Sequence, residues 1–190
     1  MVTAPDHESE VQSWFLELAL LAPSANIPAM DCRAKIIPIE SLAEWRQKVR
    51  ASNKKLVVTN GCFDLLHAGH ITYLEAARNM GDALLVGVTG DSSVRQLKGA
   101  GRPLTIETDR ALVLAALESV NAACIFAELT AIRFLTLAQP DIYVKGGDNT
   151  LATINQEERQ LVEKMGGKVV IAPGVPGKST TALVDKILKL

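Results

Sequence analysis

Thr59-Asn60-Gly61-Cys62-Phe63-Asp64-Leu65-Leu66-His67-Ala68-Gly69-His70 is the stretch on which the fold of this chain turns. It follows Leu56-Val57-Val58, which reads as a buried strand. It precedes Ile71 to Met80, whose apolar spacing predicts a helix. A strand, a glycine-containing turn and a helix in that order open an alternating α/β pattern.

Toward the C-terminus the alternation continues. Ala83 to Val88, Ala122 to Phe126, Ile142 to Val144 and Lys168 to Ile171 read as short apolar strands. Thr108 to Ser119, Ala131 to Ala138, Gln156 to Met165 and Thr181 to Leu188 read as the helices between and after them. Strands that are apolar throughout are covered on both faces. The pattern therefore predicts an α/β, Rossmann-like doubly wound sheet of about five parallel strands with helices on both sides. In such sheets ligands sit beyond the carboxyl ends of the strands, near the switch in strand order. The opening stretch lies at such an end.

Residues 1–34 stand apart as an N-terminal helical extension, and residues 35–190 form the domain. Val11, Trp14, Phe15, Leu18 and Ala22 recur at helical spacing until Pro23 stops them. That stripe predicts packing on the parent domain or on a partner subunit. Ser41 and Glu44 form an S-x-x-E capping box ahead of another helix, whose stripe is Leu42, Trp45 and Val49. Trp45 is expected as a core anchor.

Composition narrows the function. Hydrophobic residues at 48% supply enough apolar matter for a sizeable core, which excludes a wholly disordered chain. A net charge of −1 gives no bulk field for holding nucleic acid. No apolar run is long enough to span a bilayer, and Asp6, Glu8 and Glu10 give the start the wrong charge for a secretory leader. Cys32, Cys62 and Cys124 are too few and too scattered for a disulfide framework or a CxxC zinc site, so a reducing cytoplasm is expected.

The chain has three histidines, and His67 and His70 share one tetrapeptide with Gly69. A helix opening at His70 would offer free backbone N–H groups and the positive end of its dipole to an anion. Gly61 and Gly69 let the backbone approach phosphate oxygens closely. Two imidazoles can donate to one anion, and their pKa rises when it binds. The pattern suits a nucleoside triphosphate. Metal ligation with Asp64 as third ligand, or helix capping by the two rings, are the alternatives these residues leave open.

The run T-N-G-C-F-D-L-L-H-A-G-H resembles the signature of the H-x-G-H nucleotidyltransferases, the cytidylyltransferase-like group. Lys98-Gly-Ala-Gly-Arg-Pro103, Asp109-Arg110, Lys145-Gly-Gly-Asp148 and Ser179-Thr180-Thr181 follow in that family's order and spacing. The resemblance covers about residues 35–190. Within the family the chain is most similar to the adenylyltransferases that turn D-glycero-β-D-manno-heptose 1-phosphate into ADP-heptose. The resemblance implies ATP as a substrate, Mg²⁺ carried largely on its phosphates, and a homo-oligomer, most simply a dimer. The kinase domain often fused to such transferases lies outside the resemblance, so a separate kinase is expected to supply the sugar phosphate.

The resemblance also implies site roles. His67 and His70 would hold the triphosphate, Lys98 would neutralise phosphates, and Arg110, read as opening a helix, would meet an anion. Nucleotide-binding roles fall to Asn60, Gly61, Cys62, Phe63, Asp64, Gly69, Lys145, Gly147, Asp148, Ser179 and Thr180, and none of these is a metal ligand. Asp64 would orient the loop or the substrate, with Phe63 packed beneath. Gly99-Ala100-Gly101 reads as a loop that closes over the site. The implied reaction is attack of a sugar phosphate oxygen on the α-phosphorus of ATP. A phosphate monoester has its second pKa near about 6, so it is largely a dianion at neutral pH and needs no general base. Catalysis must come from positioning and charge neutralisation.

Two positions depart from the relatives. Gly174 stands where glycerol-phosphate cytidylyltransferases carry Arg, and Asn149 stands where the heptose-type pattern has an aromatic. Ala172 to Ser179 mimics a phosphate-binding P-loop but lacks its first glycine, and Gly99-Ala-Gly101 follows no strand. The competing readings are a cytidylyltransferase for an alcohol phosphate, an FMN adenylyltransferase, and a silent nucleotide-binding subunit.

Overall fold

The computed structural model describes residues 31–147, 149–174, 177, 179–187 and 189. The stripe read at Val11 to Ala22 and the expectation for Asp148 lie outside the described residues. A compact unit runs over Cys32–Leu190.

Two 3-10 turns, Cys32–Lys35 and Ile39–Ser41, lead into the domain. Among the described residues seven α-helices follow: α1 Leu42–Ala51, α2 Ala68–Arg78, α3 Asp91–Lys98, α4 Glu107–Ala115, α5 Ile132–Ala138, α6 Gln156–Lys164 and α7 Thr180–Ile187. The strands are β1 Leu56–Gly61, β2 Ala83–Thr89, β3 Ala122–Phe126, β4 Ile142–Lys145 and β5 Lys168–Ile171. They form one sheet in the order β3-β2-β1-β4-β5, every pairing parallel. This is the doubly wound α/β sheet that the apolar strands imply. Strand order reverses between β1 and β4, so the loop after β1 opens at the switch point.

Side-chain alternation divides the core. Leu56, Val58 and Leu85 face one side, with Leu42 of α1, Phe134 and Leu135 of α5, and Val162 of α6. Val57, Leu84, Val86 and Val88 face the other, with Leu74 of α2 and Ala111 and Leu114 of α4. The period of two thus sets which helices cover which face. Ile36 adds an isolated parallel bridge to Ala123 on the outer edge of β3, and the Ile37 N–H donates to the Ala123 carbonyl at 2.8 Å.

Four local expectations need correction. The first strand is longer than Leu56-Val57-Val58, because Thr59, Asn60 and Gly61 pair with Val86, Gly87 and Val88. The helix after the signature opens at Ala68, not at His70: His67 is extended at its N-cap and accepts the His70 N–H at 2.8 Å. Helix α3 was not foreseen, since eight residues between Gly90 and Gly99 carry too short a stripe to register. The Ser41–Glu44 capping box does not form. Ser41 ends a 3-10 turn without a side-chain cap bond, and Glu44 pairs with Lys48 at 2.7 Å. Trp45 packs on the core while only partly buried, and Arg46 beside it is the buried residue, held by Asp141 at 3.0 Å.

Candidate active site

The end of β1 and the start of α2 build the centre of the site. Phe63 turns the chain with φ 48° and is buried against the core. Its ring meets His70 edge-on at 5.4 Å. The ring occupies the space beside Gly61, where a Cβ would come within 3.2 Å of it. His67 at the N-cap and His70 in the first turn stack with centroids 4.0 Å apart and planes 24° from parallel. The amides of Ala68 and Gly69 precede the first intrahelical bond, so they have no acceptor within the helix.

Both Nδ1 atoms are buried and unpartnered. Burial pushes His70 down to about 4, and the neighbouring His67 adds to the effect. The stacked, half-buried rings stand beside a helix N-terminus, whose free N–H groups can receive an anion. Among the described residues no three His, Cys, Asp or Glu side chains are grouped to hold a metal ion.

Asp64 is spent within the protein. Its Oδ2 accepts from Arg102 Nη1 at 2.6 Å, and its Oδ1 accepts the N–H groups of Leu104 and Thr105 at 2.7 and 3.0 Å. These bonds tie Asp64 to the segment before α4.

Arg110 requires a correction. It lies in the fourth position of α4, with its side chain wholly buried. Nε donates to the Thr105 carbonyl at 2.9 Å, Nη1 to the Cys62 carbonyl, and Nη2 to the Thr89 carbonyl at 2.7 Å and Asp91 Oδ1 at 2.8 Å. Four of its five donors are thus engaged inside the protein. The structure thus places this arginine not at a helix start but inside the protein, where it ties the ends of β1 and β2 to α3 and to the loop before α4.

Lys98, the last residue of α3, is exposed. Its charge reaches Cys62, whose thiol burial pushes up while Lys98 and Arg110 oppose the rise. Lys145 ends β4 and is largely enclosed, and burial lowers its pKa against the pull of Glu158. It donates to Asn60 Oδ1 at 2.8 Å and lies 3.5 Å from Glu158 Oε2. The Tyr143 hydroxyl stands 2.6 Å from Asn60 Oδ1 and 2.7 Å from Glu158 Oε2, and Glu158 Oε1 accepts the Ala131 N–H at 2.8 Å. Asn60 and Lys145 join Tyr143 and Glu158 in a partly buried polar cluster at the ends of β1 and β4. Asn155 positions Glu158 by capping α6.

Gly147 has φ 76° and passes Gly174 so closely that a Cβ there would lie 3.1 Å from the Gly147 Cα. Gly146 faces Tyr73, whose ring a Cβ would meet at 2.6 Å. The Asn149 amide folds back onto the Gly146 carbonyl. Ser179 caps α7 through the Ala182 N–H at 3.1 Å, and the Thr180 hydroxyl donates to the Leu65 carbonyl at 3.3 Å. The last helix is thereby tied to the signature loop.

Sequence reading missed Glu158, Asp91 and the role of Arg102. Each is a charged residue made useful by a partner far along the chain. Only the adjacency of Arg102 to Lys98 gave any hint.

The profile of the family described as cytidylyltransferase-like matches residues 58–184. The bifunctional protein HldE of Trichlorobacter lovleyi is 43% identical over 171 residues, covering 90% of this chain and 34% of that protein. HldE of Geotalea uraniireducens is 48% identical over 157 residues, covering 83% and 32%. The chain spans about a third of the length of these curated relatives. The lipopolysaccharide core biosynthesis protein of Thermoplasma volcanium superposes with a TM-score of 0.54 at 30% identity, over 64% of this chain and 97% of that one. Pantoate-beta-alanine ligase of Francisella tularensis, at 14% identity and a TM-score of 0.54, shares the fold alone.

Proposed function

Because this chain belongs to the cytidylyltransferase-like family, we propose that it transfers AMP from ATP to a sugar 1-phosphate, D-glycero-β-D-manno-heptose 1-phosphate above all. A phosphate oxygen of the sugar attacks the α-phosphorus, the bond to the β-phosphate oxygen breaks, and ADP-heptose and pyrophosphate form. The observation that carries the reading is the stacked pair of His67 and His70 at the N-terminus of α2, at the switch point of the sheet.

The two imidazoles and the first amides of α2 bind the triphosphate and take up charge as pyrophosphate leaves. Lys98 adds a cation from the end of α3, and the start of α7 at Ser179 and Thr180 adds a second helix terminus. Gly147 and Asp148 belong to the ribose side. Mg²⁺ enters on the nucleotide as part of the substrate. Arg110, Asp64, Asn60 and Lys145 hold the frame. The same proposal includes an N-terminal extension over residues 1–34, a cytoplasmic homodimer and a separate kinase that makes the sugar phosphate. The free Cys32, Cys62 and Cys124 agree with a reducing compartment.

The test is pyrophosphate release with ATP or CTP against heptose 1-phosphate, glycerol phosphate and FMN. The expected result is release with ATP and heptose 1-phosphate. Release with CTP and not ATP, or with no sugar phosphate, would overturn the proposal.

A further inference from the structure

Asp64, which helps to hold the frame, reaches from the signature loop to a distant segment. Asp64 and Arg102 meet at 2.6 Å, with side chains only 7% and 19% exposed. Asp64 lies three residues before His67, and all its named donors come from Arg102, Leu104 and Thr105. Burial pushes its carboxyl up, yet these donors outweigh burial and hold it below the ordinary range.

The segment held in this way has an open tip. Gly99, at φ 99°, and Gly101 have nothing within 4 Å of where a Cβ would stand. The Arg102 N–H donates to the Gly99 carbonyl at 3.1 Å and closes the turn that directly follows Lys98. From the other side Thr105 is fixed by Arg110 through its carbonyl at 2.9 Å. The grip of Asp64 therefore sits between an open turn bearing Lys98 and a segment already locked.

We infer that Arg102, gripped by Asp64, is a positioning residue for nucleotidyl transfer: it fixes the 99–102 turn and so keeps Lys98 within reach of the signature loop. The inference rests on the role proposed above for Lys98. It makes the signature aspartate act on the transfer through a loop and not through the substrate.

The test is a double-mutant cycle on the full chain, read as kcat/KM for ATP and the sugar phosphate. Arg102→Ala should lower kcat/KM about 10–100-fold, the cost of misplacing a catalytic group by an ångström or so. Arg102→Lys should recover part of the loss. Lys98→Ala combined with Arg102→Ala should be no worse than Lys98→Ala alone. Effects that multiply, or a Lys98→Ala chain with normal turnover beside an impaired Arg102→Ala chain, would overturn the inference. A second measurement does not need turnover. Hydrogen exchange of the Leu104 and Thr105 N–H groups should quicken at least about tenfold in Asp64→Ala, with the amides of β1 unchanged. Unchanged exchange at both overturns the grip itself. A wild-type chain that releases no pyrophosphate with any acceptor would sink the proposed function while the exchange result still decides on the grip.

Discussion

Arg110 donates to the carbonyl of Cys62, 48 positions earlier in the chain. The bond joins the helix that follows the open loop to the turn that carries the two histidines. The same guanidinium holds the Thr89 and Thr105 carbonyls and Asp91. Removing it would leave three carbonyls and a carboxylate without their donor.

Arg110→Ala should therefore act on stability first. Breaking a buried, hydrogen-bonded ion pair from one side costs about 3–5 kcal/mol. For a chain of this size that lowers Tm by about 6–20 °C. Thermal unfolding followed by circular dichroism checks it; a fall below about 2 °C would contradict the structural role.

His67→Ala should do the opposite. The ring is partly exposed and its Nδ1 makes no hydrogen bond, so stability should change little. Turnover should fall by about 10²-fold or more, as when one donor to a developing charge is removed. Steady-state kinetics beside a melting curve separates the two, and normal turnover would remove His67 from the chemistry.

The pH dependence follows from His70. Its folded pKa is pushed from 6.5 to about 4 by burial and by His67. Above 6.5 both folded and unfolded chains hold the ring neutral, and its full contribution is present. As pH falls toward 4 the unfolded chain takes up a proton that the folded chain refuses, so stability is lost across that window. In His70→Gln the decline in Tm between pH 6.5 and 4 should be shallower than in wild type. Bound triphosphate favours the protonated ring, so nucleotide binding at pH 6 should draw in protons. Calorimetry in buffers of different ionisation enthalpy reads that uptake, and zero uptake would speak against an anion on these rings.

Glu158→Gln tests the cluster under the site. The carboxylate accepts from Ala131 on one oxygen and faces Tyr143 and Lys145 with the other. A carboxamide has one acceptor oxygen to offer, so either the Ala131 N–H or both Tyr143 and Lys145 are left facing an NH₂ group. The expected cost is about 1–3 kcal/mol by chemical denaturation, and a neutral result would mean that the cluster rearranges.

The sequence makes the fold and the heart of the site readable for a local reason. Leu56 to Val58, the glycine turn and His67-x-x-His70 are contiguous, and contiguous patterns survive without knowledge of tertiary contacts. Arg110 was misread for the complementary reason. A helix-start arginine suggests a bound anion until Cys62, Thr89 and Asp91 are seen to converge on it. Asn60 and Lys145 take their nucleotide roles from the resemblance alone, and their bonds to Tyr143 and Glu158 leave no mark in the sequence. Helix α3 escaped notice because its eight residues bury only Ser93 and Val94. What was missed is long-range polar pairing, which leaves no periodic trace.

The bridge between Ile36 and Ala123 bears on how this molecule behaves when crowded. A parallel sheet ends in two rims of unpaired peptide groups, each a template for another chain. The segment entering the domain lies along the β3 rim and satisfies part of it. The opposite rim is β5, a four-residue strand that opens on the exposed Lys168. A short strand carrying a cation is a poor seed for edge-to-edge growth. Losing the lead-in at residues 36–37 would uncover the longer rim and favour self-association.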